Sequence, residues 1–271
     1  MTFAGVFDGT SGSDASQFAS KHFGEYLCRT SEMKEVLHLS KQKQPKPNRQ
    51  MIETAAKLLD RGLTKAFKGM DKDFLEICED KGWDYVTSTA VTVTLWRNLL
   101  TVAHLGDSRG CIYKKNAQTG KYVAEWLTVD HKPNNPKELK RIEKHGGILA
   151  WKGRKPYMRA GDFLERAKKG EKPKQLNYSR AIGGKNLKPW GLSCDPEINH
   201  FELTSEDKLI ILGSDGLWDV LDPLTVLSIA LDAQASHRSI SEEIVARAIE
   251  EMPNMNVADN ITAISITLAF D

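Results

Sequence analysis

Long uninterrupted apolar runs are absent from this sequence. A membrane-spanning helix needs about 20 consecutive apolar residues, and no run in these 271 residues approaches that length. The first residues also lack the basic start, apolar core and small-residue cleavage site of a secretory signal peptide. We therefore expect a protein that neither enters a membrane nor carries a secretory leader.

Cysteine is scarce, and the few cysteines are scattered. Without C-x-x-C spacing they predict neither a disulfide framework nor a zinc site. Disulfides are rare in reducing compartments, so this usage favours the cytoplasm or the nucleus. The four cysteines are Cys28, Cys78, Cys111 and Cys194.

Net charge is small, but its distribution along the chain is uneven. The formal charge is +2, from 38 Lys and Arg against 36 Asp and Glu. Residues 151–178 hold nine basic and three acidic residues, so this segment is basic in an otherwise slightly acidic chain. Two interpretations stay open, a solvated loop or a surface for an anionic substrate. No nucleic-acid-binding motif accompanies the basic residues, and we expect no nucleic-acid partner.

Hydrophobic periodicity predicts helices towards both ends of the chain and strands between them. Apolar residues recur at helical spacing after Ser13 and again from 52 to 74. The stretch 88–129 contains four segments rich in β-branched and apolar residues, and Arg97-Asn98 separates the first two as a hairpin turn. Further predicted elements are helices after Asn135-Pro136, Asp222-Pro223 and Ser239, and strands at 3–7, 208–214 and 260–270.

The grouping of these elements predicts the fold class. Strands and helices do not alternate regularly, which argues against repeated βαβ units. We expect an α+β protein with mainly antiparallel sheets covered by helices. No internal repeat or domain linker is visible, so residues 1–271 are expected to form one domain. Within it, the polar segment 41–50 is predicted to be an exposed connection and 151–178 a basic insertion.

Four aspartates stand where an apolar strand gives way to glycine, serine or asparagine. Each alone is more typical of a turn, because Asp-Gly and Asp-Asn are common turn sequences. Together they indicate a metal site, since magnesium, manganese and calcium prefer carboxylate and carbonyl oxygens, and strand ends hold short side chains rigidly. The four are Asp8, Asp107, Asp215 and Asp259.

The order of the motifs resembles a known family. The chain is similar to the metal-dependent protein phosphatases of type 2C, which hydrolyse phosphoserine and phosphothreonine. The resemblance implies an α-β-β-α fold, two antiparallel sheets in a sandwich flanked by helices, with a binuclear magnesium or manganese site at one end. It also implies phosphoprotein substrates, and we expect a monomer. The matching motifs are "FAGVFDG", "TSTAVTV", "LGDSRG", "TVDHKPNNPKELKRIEKHGG", "YSRAIGG", "LIILGSDGLWDVL" and "ADNITAISI".

The resemblance also implies roles for particular residues. Asp8 corresponds to the carboxylate that bridges the two ions, and the Gly9 carbonyl to a ligand of one ion. Asp215 and Asp259 correspond to ligands of the other ion. Asp130, together with Asp215, corresponds to a third, weaker metal site.

Supporting roles follow from the same comparison. Residues 213–219 and Asn260 would orient the metal ligands. Asp107 we assign to the turn in "GDSR" rather than to metal binding. Hydroxide activated between the two ions would attack phosphorus in line, so no protein nucleophile is needed.

The sequence departs from the family pattern after the bridging aspartate. The family has Asp-Gly-His-Gly-Gly, whereas this chain has Asp8-Gly9-Thr10-Ser11-Gly12. The replaced histidine is the family's candidate general acid, and an unperturbed Thr10 hydroxyl is a poor substitute. Assistance then falls to His131 or to a metal-bound water, or the enzyme is slower. The Asp-Gly-Thr variant resembles protist, especially apicomplexan-like, members.

Two further departures concern the metal site. The family begins with a strand carrying an arginine and a Glu-Asp pair, and none of this precedes Met1. We therefore expect the fold without its first strand, and either the sequence begins late or the protein lacks these groups. Residues 179–184 read "SRAIGG" where the family has "SRALGD", so an acidic residue is lost near the third metal site.

The basic segment supplies candidates for substrate binding. Arg154, Lys155 and Arg159 are predicted to bind phosphoprotein and to compensate in part for the missing arginine. The sequence leaves two functions open. The first is a metal-dependent serine/threonine phosphatase, and the alternative is a catalytically impaired pseudophosphatase that acts as a binding or regulatory module.

Overall fold

Antiparallel strand pairing organises the computed structural model, which describes residues 1–41, 48–255 and 258–270. The strands, in chain order, are β1 (Thr2–Val6), β2 (Gly9–Thr10), β3 (Thr87–Ser88), β4 (Ala90–Trp96), β5 (Leu99–Leu105), β6 (Arg109–Lys115), β7 (Tyr122–Trp126), β8 (Ile148–Lys152), β9 (Lys155–Arg159), β10 (Ile182–Gly183), β11 (Glu197–Glu202), β12 (Asp207–Gly213) and β13 (Ala263–Thr267). The helices are α1 (Asp14–Arg29), α2 (Ser31–Ser40), α3 (Arg49–Lys81), α4 (Pro136–Lys144), α5 (Phe163–Lys168), α6 (Asp215–Trp218), α7 (Pro223–Ala235) and α8 (Ile240–Met255), and a 3₁₀ helix covers Lys185–Trp190.

Two four-stranded sheets lie face to face. The first has the order β1-β4-β5-β11 and the second has the order β13-β12-β6-β7, with every neighbouring pair antiparallel. Successive side chains of a strand point to opposite faces, so each sheet offers one apolar face to the other. The buried residues shared between the sheets include Val6, Val91, Val93, Leu100, Val102, Ile112, Ile210 and Leu212.

Helices cover the outer face of each sheet. The apolar stripe of α3 packs with α1 and α2 against the first sheet, and α7 and α8 pack against the second. The layers are therefore α-β-β-α, which confirms the predicted fold class. In the described part of the chain, no helix is both long enough and apolar enough to cross a membrane.

Local sequence signals explain several element boundaries. Trp96 pairs with Leu99 in the β4–β5 hairpin, so Arg97 and Asn98 form the predicted turn. Arg97 has φ 55°, the left-handed conformation that two-residue hairpin turns use. The predicted helix after Asn135 is α4, and the Asn135 side chain accepts a hydrogen bond from the Lys137 amide.

Other elements were not predicted from the sequence. α2 follows α1 directly, with the Thr30 side chain accepting a hydrogen bond from the Met33 amide. The basic segment 151–178 contains the end of β8, all of β9 and α5. Of the predicted connection 41–50, residues 42–47 lie outside the described residues, and α3 already begins at Arg49.

Candidate metal centre

Adjacent strand ends bring Asp215 and Asp259 together. Asp215 directly follows Ser214 at the end of β12, and Asp259 lies shortly before β13, the antiparallel neighbour of β12. The Ser214 hydroxyl donates a hydrogen bond to the Asn260 carbonyl at 3.2 Å. Gly216 packs so closely on Asn260 that a Cβ there would collide with its carbonyl oxygen. The glycine of "SDG" therefore allows these two aspartates to share one site.

The loop after β1 supplies the third carboxylate. The Asp8 carbonyl accepts a hydrogen bond from the Thr89 amide at 2.9 Å, which fixes the loop against the start of β4. A Cβ on Gly9 would lie 2.7 Å from the Ser16 hydroxyl and 2.8 Å from the Gly12 carbonyl oxygen. Only glycine fits there without a shift of the backbone, because real Cβ atoms do not approach that closely.

These loops line a polar cavity of about 470 Å³ at one end of the sandwich. Three aspartates that the sequence predicts as metal ligands line this cavity: Asp8, Asp215 and Asp259. Gly9 lines the cavity too, and Lys155 is the one cation among the described lining residues. The carboxylates among the described lining residues are Asp8, Asp107, Asp215, Asp219 and Asp259.

Crowding of the carboxylates changes their protonation. Burial raises the pKa of Asp8 and of Asp215, and the negative charge of Asp259 raises both further. The negative charge of Asp8 also raises the pKa of Asp215. A set of like charges held this close favours a divalent cation, because the ion replaces repulsion with attraction. The donors present fit a magnesium or manganese centre.

Asp107 is a cavity residue that the sequence assigned to a turn. Its side chain is only 1% exposed and contacts the Lys132 ammonium group. The Asn177 amide donates a hydrogen bond to the same carboxylate at 3.2 Å. Burial raises the pKa of Asp107 to about 6, although Lys132 acts in the opposite direction. Its position at a strand end placed it with Asp8, Asp215 and Asp259 in the sequence, and the structure brings it to the same cavity.

Asp130 lies beside this cavity but outside the described residues that line it. Both of its carboxylate oxygens accept hydrogen bonds from Arg109, each at 2.7 Å. The Lys132 ammonium group also lies near this carboxylate, 3.8 Å from Asp130 Oδ2. The residue expected to serve a third metal ion is thus already paired with a cation.

His131 is buried away from the cavity, with 2% of its surface exposed. The Gly106 amide donates a hydrogen bond to His131 Nδ1 at 3.1 Å. His131 Nε2 faces the Glu197 carboxylate at 3.6 Å, and the His104 ring stacks on His131 with centroids 4.6 Å apart.

The side chains of His104, His131 and Glu197 come close enough to hold a metal ion, with their candidate ligand atoms all within 4.8 Å of one another. The hydrogen bond that His131 Nδ1 accepts, however, leaves the proton of a neutral imidazole on Nε2, where the ligand lone pair is needed. The arrangement is better explained as a structural contact between His131 Nε2 and Glu197.

The three predicted substrate-binding residues have different surroundings. Lys155, at the start of β9, lines the cavity, while Arg154 is exposed in the β8–β9 turn. Arg159 donates a hydrogen bond to the Gln175 side chain at 2.5 Å and lies over the Phe163 ring. The structure therefore brings only Lys155 to the aspartates.

A second lysine of the basic segment reaches the same loop. Lys174 donates a hydrogen bond to the Ser11 hydroxyl at 3.1 Å. Ser11 has φ 65°, an uncommon conformation for a residue other than glycine. Sequence reasoning missed this contact because the two residues are far apart in the chain.

Thr10 occupies the position where the resembled family has histidine. It pairs with Thr87 across β2 and β3, and it lines the cavity together with Tyr178. The Tyr178 hydroxyl is also 2.8 Å from the Thr87 hydroxyl. Burial raises the pKa of Tyr178, and aliphatic hydroxyls such as those of Thr10 and Thr87 are poor acids, so none of the three is a ready proton donor near neutral pH.

Comparison with known proteins identifies relatives along the whole chain. A family model described as Protein phosphatase 2C matches residues 1–261. The rice protein named "Probable protein phosphatase 2C 52" is 33% identical over 274 residues, covering 100% of this chain and 45% of the relative. "Protein phosphatase 2C 1" of Paramecium tetraurelia is 27% identical, covering 97% of this chain and 82% of the relative.

A solved structure shares the architecture. The crystal structure of a serine-threonine phosphatase 2C from Toxoplasma gondii is similar with a TM-score of 0.88 and 36% sequence identity, covering 98% of this chain and 84% of that one. Several plant relatives are longer. The chain spans 45% of one rice relative, 61% of a second, which is named mitochondrial, and 52% of one from Arabidopsis thaliana.

Proposed function

Because the chain belongs to the protein phosphatase 2C family, whose members are metal-dependent, we propose that it hydrolyses phosphoserine and phosphothreonine in phosphoproteins. The observation that carries the proposal is the polar cavity at the end of the sandwich, whose wall holds five aspartates. A neutral ligand would leave the negative charges of these carboxylates uncompensated. A phosphate ester can bind here once cations balance the carboxylates.

We propose two magnesium or manganese ions at this centre. Asp8 would lie between them, the Gly9 carbonyl would bind one ion, and Asp215 and Asp259 would bind the other. When bound, such a pair supplies an activated water and neutralises charge on phosphoryl oxygens. The residues of the chain hold the ligands in place: the close packing of Gly216 on Asn260 supports this arrangement, as does the hydrogen bond from the Thr89 amide to Asp8.

Substrate phosphate would be held by the basic segment. Lys155 is the strongest candidate, since it faces the aspartate-lined cavity. Arg154 in the adjacent turn would contact the peptide flanking the phosphate, and Arg159 would support the hairpin through Gln175. Lys174 adds a positive charge next to Ser11.

The leaving alkoxide would take its proton from solvent water in the cavity. His131 is buried beside Glu197 and outside the described cavity lining, so we propose a positioning role for it at the turn that carries Asp130. Thr10 and Tyr178 would shape the wall that both residues line. The alternative of a pseudophosphatase has no support from the relatives described above, which are named phosphatases.

We propose one phosphatase-like domain over residues 1–271 that acts as a monomer in the cytoplasm or nucleus. The scattered free cysteines support that location. No partner other than the phosphoprotein is invoked.

The test is phosphate release from a phosphothreonine peptide. Wild-type protein is expected to be active with Mn²⁺ and inactive after chelation. Asp215→Asn should lower kcat/KM by at least about 10², since it removes one ligand and its charge. Asp232→Asn, an exposed position on α7, is the matched control and should behave as wild type. Activity without metal, or activity that survives Asp215→Asn, would contradict the proposal.

A further inference from the structure

Arg109 lies where two acidic segments approach the metal centre. It begins β6, and its guanidinium donates to both oxygens of Asp130 at 2.7 Å. The same group is 3.8 Å from the Asp219 carboxylate, which lines the cavity. Its position over the Trp126 ring, 5.7 Å from the centroid, restricts its movement further. One fixed cation thus joins Asp130 to Asp219.

Lys132 is a second cation that pairs with aspartates beside the metal centre. Its ammonium group contacts Asp107 and is 3.8 Å from Asp130. Asp107, Asp130 and Asp219 therefore each lie within ion-pair distance of a protein cation. By contrast, no protein cation is in an ion pair with Asp8, Asp215 or Asp259 among the described residues. The aspartates fall into a group already balanced by side chains and a group that is not.

We propose that the Arg109 guanidinium, supported by Lys132, takes the place that a third divalent ion would occupy beside the centre, so that this chain binds two ions. The inference rests on the proposed two-ion function. It departs from the resemblance, which assigns Asp130 to a third metal site. A third ion at Asp130 must break a two-point, charge-assisted hydrogen bond and sit next to a positive charge.

The positive charge of the Arg109 guanidinium does not depend on pH. Arginine stays protonated at every pH that proteins tolerate. Asp130 and Asp219 therefore remain balanced when metal is removed, while the group around Asp8 and Asp215 does not. Asp8, Asp215 and Asp259 are therefore the aspartates whose negative charges need metal ions for compensation.

The experiment measures Mn²⁺ binding by calorimetry and by electron paramagnetic resonance on the full chain. Wild type is expected to bind two ions. Arg109→Gln should gain a third ion with affinity at least about tenfold above any additional binding by wild type, because a repelling charge is removed. The third ion should disappear in Arg109→Gln combined with Asp130→Asn. Lys114→Gln is the matched control, since it removes a charge from the same strand at a partly exposed ion pair with Glu125.

The outcomes separate this inference from the proposed function. Three ions on the wild-type chain, with the third lost in Asp130→Asn, would overturn the inference and leave the phosphatase proposal intact. Two ions on both wild type and a folded Arg109→Gln would overturn the role of Arg109. No binding by wild type would overturn the proposed function and this inference with it. The wild-type count needs no variant, so a misfolded Arg109→Gln does not remove the test.

Discussion

Asp215 is the residue at which the unbalanced charges of the cavity meet. Its raised pKa comes from burial and from the neighbouring charges of Asp8 and Asp259. A carboxyl group with a raised folded-state pKa destabilises the fold at pH values above that pKa, because ionisation is then easier in the unfolded chain. In metal-free protein at pH 8, the ionised Asp215 carboxylate therefore destabilises the fold. A neutral side chain at this position would remove that destabilisation.

We predict that metal-free Asp215→Asn is more stable than wild type by about 1–3 kcal/mol at pH 8. Mn²⁺ at about 100 times its dissociation constant should stabilise wild type by about 3 kcal/mol and the variant much less. Urea denaturation with and without Mn²⁺ measures both effects, with Asp232→Asn as the control. A variant that is less stable without metal yet responds to Mn²⁺ like wild type would contradict this explanation.

Gly9 is fixed by the space around it rather than by its backbone angles. A Cβ there would press on the Ser16 hydroxyl and the Gly12 carbonyl. We predict that Gly9→Ala costs about 1–3 kcal/mol of stability and weakens Mn²⁺ binding. Gly24 on α1 offers the opposite case, since a Cβ there meets nothing within 4 Å. Gly24→Ala should be stabilising by about 0.5–1 kcal/mol, and thermal unfolding distinguishes the two.

The sequence supports some residue assignments better than others. Asp8, Asp215 and Asp259 could be proposed as neighbours because each adjoins a predicted strand and a small residue. The role of Arg109 could not be predicted, because its partner Asp130 comes from a distant turn and the pairing depends on how that turn folds back. The ion pair of Asp107 with Lys132 is hidden for the same reason.

The β8–β9 hairpin is the element that connects the basic segment to the cavity. Lys155 lines the cavity, whereas Lys168 is exposed at the end of α5. We predict that Lys155→Glu raises KM for a phosphothreonine peptide by about tenfold at low salt, with a smaller change in kcat. Lys168→Glu adds the same charge to the same segment and should change KM less than threefold.

A KM that is equal in the two variants would indicate a general effect of charge and would contradict the proposed contact of Lys155 with phosphate. The triple variant Arg154→Glu, Lys155→Glu and Arg159→Glu should raise KM by a larger factor than Lys155→Glu alone. Its Arg159 component also removes the hydrogen bond to Gln175, so the single Lys155 variant is the cleaner measurement.

Elements with local start and stop signals were predictable, and those that depend on distant contacts were not. Asp222 caps α7 by accepting hydrogen bonds from the Leu224 and Thr225 amides, as its sequence Asp-Pro suggested. The β8–β9 hairpin was not predicted, and Met158 of β9 is held by backbone hydrogen bonds to Leu176, 18 residues further along the chain. Hydrophobic periodicity alone contains no signal for that pairing.

At the scale of the whole molecule, Glu138 joins α4 to the segment that follows α5. Its buried carboxylate accepts hydrogen bonds from Arg141, Arg180 and Ser179, each at 2.6 Å. Burial alone would raise its pKa, but these hydrogen bonds hold the pKa of Glu138 well below its usual range. The two arginines would face each other without a counter-charge if the carboxylate were neutral.

We predict that Glu138→Gln destabilises the fold by about 3–5 kcal/mol at pH 7, since it leaves buried charges unpaired. A depressed pKa contributes stability above the unfolded value of about 4.3, and this contribution is lost as pH falls towards the folded value. The difference from wild type should therefore shrink below about pH 4. Denaturation curves from pH 7 to pH 3 measure it, with exposed Glu143→Gln on α4 as the control. A pH-independent difference would argue against this charge network.

The arrangement of layers follows from patterns that the sequence displays openly. The stripe from Ala55 to Phe74 predicted a helix with one buried face, and that face packs against the first sheet. How the layers align at their ends is not contained in such patterns. The composition of the cavity wall, including Lys155 and Asp219, depends on that alignment.

The most direct test of the two-ion centre is anomalous diffraction from crystals of the wild-type protein grown with Mn²⁺. Two peaks about 3.5–4 Å apart are expected, with Asp8 between them and Asp215 and Asp259 on one. No peak is expected at Asp130, where Arg109 already occupies both carboxylate oxygens. A single peak, or peaks only at His104, His131 and Glu197, would contradict the account.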